Sequence, residues 1–136
     1  MSNNNQPPHP PKIQRGTKFY YVSDFDKLPY TVTVTKVNKK TFSTSIGRAY
    51  YLEPTWSEYK QEYRYRCRNR PAFGAFPEVA PITPEVAKMI KDMHRAHRLR
   101  KWLREELPAI SSELTPDQIQ QIKTLAEGFE NENKTE

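Results

Sequence analysis

The most distinctive chemistry of this 136-residue chain lies between Tyr59 and Arg70, where aromatic and cationic side chains alternate. In an extended strand, a period of two puts alternate residues on opposite faces. One face would carry Tyr59, Gln61, Tyr63, Tyr65 and Cys67, and the other Lys60, Glu62, Arg64, Arg66 and Arg68. Guanidinium groups match phosphate oxygens, and tyrosine rings stack on bases. The pattern predicts a surface that binds nucleic acid or an acidic protein, and it specifies no reaction.

A second basic set lies on a predicted helix. We expect this helix to begin at Pro84, after the capping residue Thr83, and to end before Pro108. At 100° per residue, one side of it carries four cations and a tryptophan. These are Lys88, Lys91, Arg95, Arg98 and Trp102. Such a face is typical of contact with a phosphate backbone, and it is also typical of an ordinary solvated surface.

The candidate binding residues come from both sets. They are Lys60, Tyr63, Arg64, Tyr65, Arg66, Arg68, Arg70, Lys88, Lys91, Arg95, Arg98 and Trp102. We expect the cations to contact phosphates and Tyr63, Tyr65 and Trp102 to stack on bases, with weak sequence specificity. The competing interpretation of the Tyr59–Arg70 segment is an edge strand whose tyrosines lie in the core and whose arginines are solvated.

The net charge of +6 is unevenly distributed, which bears on partners rather than on fold. Residues 60–104 hold twelve Lys and Arg against four Asp and Glu, whereas residues 105–136 hold two against eight. The single cysteine, Cys67, forms no internal disulfide, which favours a reducing compartment. With no membrane-length apolar stretch and no signal-peptide pattern, we expect a cytoplasmic protein.

Catalytic and metal-binding patterns are missing from the sequence. His94 and His97 have i, i+3 spacing, but no neighbouring Cys, Asp or Glu completes a metal site. Cys67 is flanked by arginines, yet no histidine is placed by sequence to act as its base. No phosphate-binding glycine loop or hydrolase motif occurs. We therefore expect no enzymatic activity, no cofactor and no metal.

The predicted strands and helices that position these residues indicate an α+β fold. In this fold a small antiparallel SH3-like β-barrel precedes a C-terminal helical hairpin. Thr115 and Gln118 have capping-box spacing at the start of the second helix. Its apolar stripe comprises Ile119, Ile122, Leu125, Ala126 and Phe129. The expected divisions are a disordered arm 1–12, the barrel 13–70, an irregular loop 71–81, the hairpin 82–129 packed on the barrel, and a disordered tail 130–136.

Two runs, Gly16–Val22 and Val32–Phe42, resemble the opening strands of small SH3-like or KOW-like β-barrels encoded by bacteriophages and mobile elements. The resemblance covers Gly16 to Leu52 and implies a barrel that docks nucleic acid or protein through strand edges and loops. It carries over no catalytic residue. Our leading hypothesis is a non-catalytic, phage-encoded accessory protein that binds DNA or RNA. The alternative is a phage-encoded inhibitor that binds and blocks a host enzyme or defence complex in the host cytoplasm.

Overall fold

The computed structural model describes residues 7–68 and 78–134, with side chains described as far as residue 129. The chain divides into two compact units between His94 and Arg95. The first unit contains a sheet of seven strands. The strands are β1 (Lys18–Val22), β2 (Pro29–Val37), β3 (Thr41–Thr44), β4 (Ala49–Tyr51), β5 (Thr55–Ser57), β6 (Glu62–Arg66) and β7 (Glu78–Pro81).

The sheet is antiparallel throughout, in the order β4-β3-β2-β1-β7-β6-β5. It curls into a half-barrel, so that Tyr50 of β4 forms an isolated bridge with Cys67, just beyond β6. The expectation of an antiparallel α+β fold is confirmed. The closed SH3 barrel is not seen in residues 7–68 and 78–134, because contact between β4 and the end of β6 is limited to this short corner.

Aromatic side chains fill the concave face of the sheet. Phe19 and Phe42 stack with their ring centroids 5.1 Å apart, and Tyr65 meets both rings edge-on. Tyr50 also stacks on Phe42, with the ring centroids 5.6 Å apart. These four side chains are fully buried. Offset-stacked and edge-to-face rings of this kind combine a large buried area with fixed geometry, so they set the curvature around which the strands pair.

Two strands occur where the sequence predicts none. The sequence of residues 54–58 predicts a turn or a single helical turn, but Thr55–Ser57 pairs with β6. The expected irregular loop 71–81 ends in β7, a central strand in which Val79 and Ala80 are buried. Pro81 is tolerated because it stands at the end of that strand, opposite Phe19. The rest of the predicted loop, up to residue 77, lies outside the described residues.

The helical region begins as predicted but does not stop as predicted. Its segments are α1 (Pro84–Lys101), a π-helical turn (Trp102–Glu106), α2 (Leu107–Ile110), a 3-10 turn (Ser111–Glu113) and α3 (Pro116–Lys134). The Val86 amide donates to Oγ1 of Thr83 at 3.2 Å, which confirms the cap. Pro108 does not end the helix, because the π-helical turn restarts it and Pro108 falls in the first turn of α2, where its missing N–H is not needed.

The second unit contains α3, whose start follows the predicted capping box. The Thr115 amide donates to Gln118 at 2.9 Å, and the Gln118 amide donates to Thr115 at 3.2 Å. The helix continues to Lys134, beyond the expected start of a disordered tail at residue 130. The predicted helical hairpin is not seen in this unit, since the apolar stripe of α3 is exposed as far as Phe129. None of the helices described is long and apolar enough to cross a membrane.

Candidate nucleic-acid interface

A basic groove opens on the first unit. Its volume is about 860 Å³. Its walls are formed by the β2–β3 turn, the segment from the end of β4 into β5, and the residues at the end of β6. The lining residues are Lys39, Lys40, Tyr51, Leu52, Glu53, Pro54, Thr55, Arg66, Cys67 and Arg68. A concave site built from three chain segments can surround a ligand that a flat strand face would touch only on one side.

Backbone hydrogen bonds hold the three walls together. The Leu52 amide donates to the Lys40 carbonyl at 2.9 Å, which ties the β2–β3 turn to the chain leaving β4. The Arg68 amide donates to the Ala49 carbonyl at 2.8 Å, which ties the end of β6 to the start of β4. Because both bonds join main-chain atoms, the groove is shaped by the fold rather than by mobile side chains.

The groove is electropositive. Among the described residues that line it, four are cationic and only Glu53 is acidic. Lys39, Lys40, Arg66 and Arg68 are all exposed, and none of them forms an ion pair with the acidic side chains described in residues 7–68 and 78–129. Tyr51 adds a ring that is 43% exposed. A concave, cationic wall with an accessible ring has the composition expected of a site for a phosphate-bearing chain.

The predicted alternation of the Tyr59–Arg70 segment is confirmed at its centre. Tyr65 and Cys67 are buried, whereas Arg66 and Arg68 are exposed. The assignment of Tyr65 to base stacking is wrong, because its ring is enclosed by Phe19 and Phe42. Burial raises the pKa of the Tyr65 phenol. The competing interpretation, tyrosine in the core and arginine in solvent, describes this part of β6.

Arg64, predicted as a phosphate contact, is paired with carboxylates of the protein. Its Nη1 lies 3.5 Å from Oε2 of Glu62, and its Nε lies 3.3 Å from Oε1 of Glu78. Only 27% of its side chain is exposed. Two carboxylates already compensate this guanidinium, so a phosphate would have to displace them. Arg64 is therefore held by carboxylates of the sheet and does not line the groove.

Tyr63 and Lys60 lie away from the groove lining. The Tyr63 hydroxyl donates to the Pro8 carbonyl, and its ring meets Trp56 edge-on at 4.9 Å. Lys60 is exposed in the β5–β6 turn, where its amide donates to Oγ of Ser57 at 3.2 Å. The alternation predicted from Tyr59 onward is wrong here, because the chain turns at Gln61 with φ of 53° before β6 begins.

The helical candidates are spread over both units. Lys88 lies 3.4 Å from Asp92, one turn along α1, and is 80% exposed. Lys91 is exposed, and neither lysine lines the groove. Arg95, Arg98 and Trp102 belong to the second unit, where the two arginines are exposed and Trp102 is 44% exposed. Arg70 lies outside the described residues.

Sequence reasoning missed half of the cationic groove. Lys39 and Lys40 read as a hairpin turn, and Tyr51 as part of a strand, with no reason to join them to Arg66. The available signal was the adjacent pair of lysines at a turn, where side chains project outward. What brings the two sets together is the bridge between Tyr50 and Cys67, which depends on how far the sheet curls.

No group of three or more His, Cys, Asp or Glu residues in the described ranges is arranged to hold a metal ion. Comparison of the chain with protein-family models, with curated proteins and with solved structures finds no significant match.

Proposed function

We propose that the protein binds nucleic acid through the basic groove, without catalysing a reaction on it. The observation that carries this proposal is the convergence of Lys39, Lys40, Arg66 and Arg68 on one concave surface, where Glu53 is the only acid among the described lining residues. A phosphodiester backbone presents regularly spaced negative charges, so a groove of this kind gains one contact after another along the strand.

The exposed ring of Tyr51 favours single strands over duplexes within this proposal. A base that is not paired can lie against an aromatic face, and such stacking is sequence-tolerant because every base has one. Arg66 and Arg68 offer forked donors for phosphate oxygens, while Lys39 and Lys40 act as point charges. Binding of this type has weak sequence preference and is sensitive to salt.

The resemblance to SH3-like and KOW-like barrels of phages belongs to the same proposal. It suggests an accessory protein that a phage makes in the cytoplasm of its host. The antiparallel, curled sheet is compatible with such a barrel, and the groove at the strand ends is the kind of place where small barrels dock their partners.

Fluorescence anisotropy tests the proposal directly. The full chain is titrated against labelled single-stranded DNA, single-stranded RNA and duplex DNA at several salt concentrations. With about four phosphate contacts, the plot of log affinity against log salt concentration should have a slope of about −3 to −4. The double variant Arg66→Ser/Arg68→Ser should bind at least about tenfold more weakly and with a slope reduced by about 1 to 2.

A matched control removes two exposed cations that do not line the groove, Arg15 and Lys18, each changed to Ser. This control loses the same net charge, so it should keep nearly the original affinity. Equal losses in both double variants would reject the groove as the site. Absence of binding to all three nucleic acids at low salt would reject the function. Nuclease-resistant capture of an acidic host protein would then support the inhibitor hypothesis.

A further inference from the structure

The second unit exposes a continuous apolar stripe on α3. Four large side chains, spaced three or four residues apart, share one face of this helix. They are Ile119 (47% exposed), Ile122 (38%), Leu125 (76%) and Phe129 (64%). Single exposed apolar residues are ordinary, but a row of four on one helix face marks a surface that another surface covers.

The start of the same unit has a matching exposed surface. Leu99 is 53% exposed and Leu103 is 52% exposed, and the two are spaced i, i+4. Trp102 beside them is 44% exposed. Side chains of this size would be covered within a helical hairpin, yet the hairpin is not seen here. The chain therefore has two exposed apolar helix surfaces that could pack together, but within the described residues they do not cover each other.

Charge selects which surfaces fit together. Residues 95–104 contain five Arg and Lys and no Asp or Glu, whereas α3 (Pro116–Lys134) contains four Asp and Glu and two Lys. Two α3 helices placed side by side would bring acidic segments together. An α3 helix placed against the segment from Arg95 to Arg104 of another copy would instead join opposite charges along matching apolar stripes.

We propose that the protein forms a two-fold dimer in which α3 of each copy packs on the Arg95–Arg104 segment of the other. The contact is reciprocal, so one dimer contains it twice, as a closed two-fold interface requires. In this arrangement Leu99, Leu103 and Trp102 cover Ile122, Leu125 and Phe129 of the second copy. The proposal reassigns Trp102 from base stacking to self-association, and it holds whether or not the groove binds nucleic acid.

Size-exclusion chromatography with light scattering, followed by sedimentation over a range of concentrations, measures the dimer directly. We expect twice the mass of one chain at micromolar concentration and a reversible transition to monomer on dilution. A single-chain mass at 100 micromolar would overturn the proposal, and it would show that the two stripes meet within one molecule or not at all.

Substitutions locate the interface. Leu125→Asp places a charge in the proposed contact and should raise the dimer dissociation constant at least about tenfold. The matched control Thr124→Asp adds the same charge to the opposite side of α3 and should leave the dissociation constant nearly unchanged. Helical circular dichroism should be alike in the two variants, since both positions are exposed. Equal dimerisation of Leu125→Asp and the unmodified chain would overturn the proposal.

A mixing experiment separates the proposed pairing from a contact between two α3 helices. Leu99→Asp and Leu125→Asp should each be largely monomeric alone. Mixed one to one, they should form a heterodimer, because the unmodified α3 of the first and the unmodified Leu99 segment of the second still make one of the two contacts. If Leu99→Asp alone dimerises as well as the unmodified chain, the contact lies between α3 helices and the proposed pairing is wrong.

Discussion

The hydroxyl of Tyr20 donates a 2.6 Å hydrogen bond to Oε1 of Glu62, which joins β1 to β6 across the intervening strand β7. The other carboxylate oxygen of Glu62 faces Arg64. Only 12% of the Glu62 side chain is exposed, so the carboxylate depends on these two neighbours for the contacts that water would otherwise supply. Burial and the bond to Glu62 both raise the pKa of the Tyr20 phenol, which keeps it protonated as the donor.

Removing this carboxylate should destabilise the sheet. We expect Glu62→Ala to lower the free energy of unfolding by about 2–3 kcal/mol, since Tyr20 loses its acceptor and Arg64 loses one of its two carboxylate partners. Arg64→Met should cost less, about 1 kcal/mol, because Arg64 is partly exposed, and it should leave nucleic-acid affinity unchanged. Urea denaturation followed by circular dichroism measures the free energy of unfolding of both variants. A loss below about 0.5 kcal/mol in Glu62→Ala would contradict the structural role of this residue.

The buried phenols should make the fold sensitive to alkali. Burial, with a smaller contribution from Cys67, raises the pKa of Tyr50 to about 12, against an ordinary value of 10.0. The unfolded chain therefore releases this proton first, and the contribution of Tyr50 to stability, complete below pH 10, is lost between about pH 10 and pH 12. In Tyr50→Phe, we expect the free energy of unfolding to fall less between pH 10 and pH 12. At pH 12 the loss should be smaller by roughly 2 kcal/mol than in the unmodified protein.

The same variant should be well tolerated at pH 7. The hydroxyl groups of Tyr50 and Tyr65 are buried and have no hydrogen-bond partner among the described residues. Replacing either by Phe removes a desolvated polar group, so stability should stay level or rise by about 1 kcal/mol. Urea titrations at pH 7 and pH 11 measure both effects. Parallel pH profiles for Tyr50→Phe and the unmodified protein would disprove the assignment of the alkaline loss to Tyr50.

The β1–β2 turn should carry an unusually acidic carboxyl group. The Tyr30 hydroxyl donates to Asp26, and the Leu28 amide donates to the same carboxylate at 3.0 Å. These bonds, that from Tyr30 first, hold the pKa of Asp26 below its ordinary 3.8. The stabilising effect is present above the unfolded pKa and is lost as pH falls through the folded one. In Tyr30→Phe, an NMR titration should show the Asp26 pKa moving upward, and no movement would refute the contribution of Tyr30.

His94 anchors the first half of α1 to the sheet. Its Nε2–H donates to the Pro29 carbonyl at 2.6 Å, and its ring meets Tyr30 edge-on at 5.1 Å. His94→Phe keeps an aromatic ring but loses the hydrogen bond, so we expect about 1 kcal/mol of destabilisation and faster amide exchange in residues 84–94. Hydrogen exchange with mass spectrometry measures this. His97→Phe is the control, and equal acceleration in both variants would argue against the anchor.

Local patterns in the sequence predicted much of the fold. The caps at Thr83 and Thr115 depend on contacts within four residues, and both are present. The break in alternation at Lys36-Val37 predicts a bulge or a register change, and the β2–β3 register shifts between Val34 and Lys36. Caps and bulges depend on residues close together in the chain. A single sequence is therefore enough to predict them.

Long-range features were predicted less well. Arg64 and Arg66 are equivalent in the repeating pattern, yet Arg64 is paired with two carboxylates and Arg66 lines the groove. Glu78 of β7 is opposite Arg66 in the strand register, yet its carboxylate lies 3.3 Å from Nε of Arg64. The curl of the sheet in turn brings Lys40 and Arg66 to a common groove. Neither the pairing of strands distant in sequence nor the degree of curling is encoded in a period of two.

The π-helical turn from Trp102 to Glu106 changes the angular phase of everything after it. Such a turn closes its hydrogen bond over five residues instead of four, as the bond from the Leu107 amide to the Trp102 carbonyl does. Side chains after it are therefore rotated about the axis relative to an uninterrupted helix. Deleting one residue within the turn would restore the regular spacing and turn the whole acidic end of the chain to a new side.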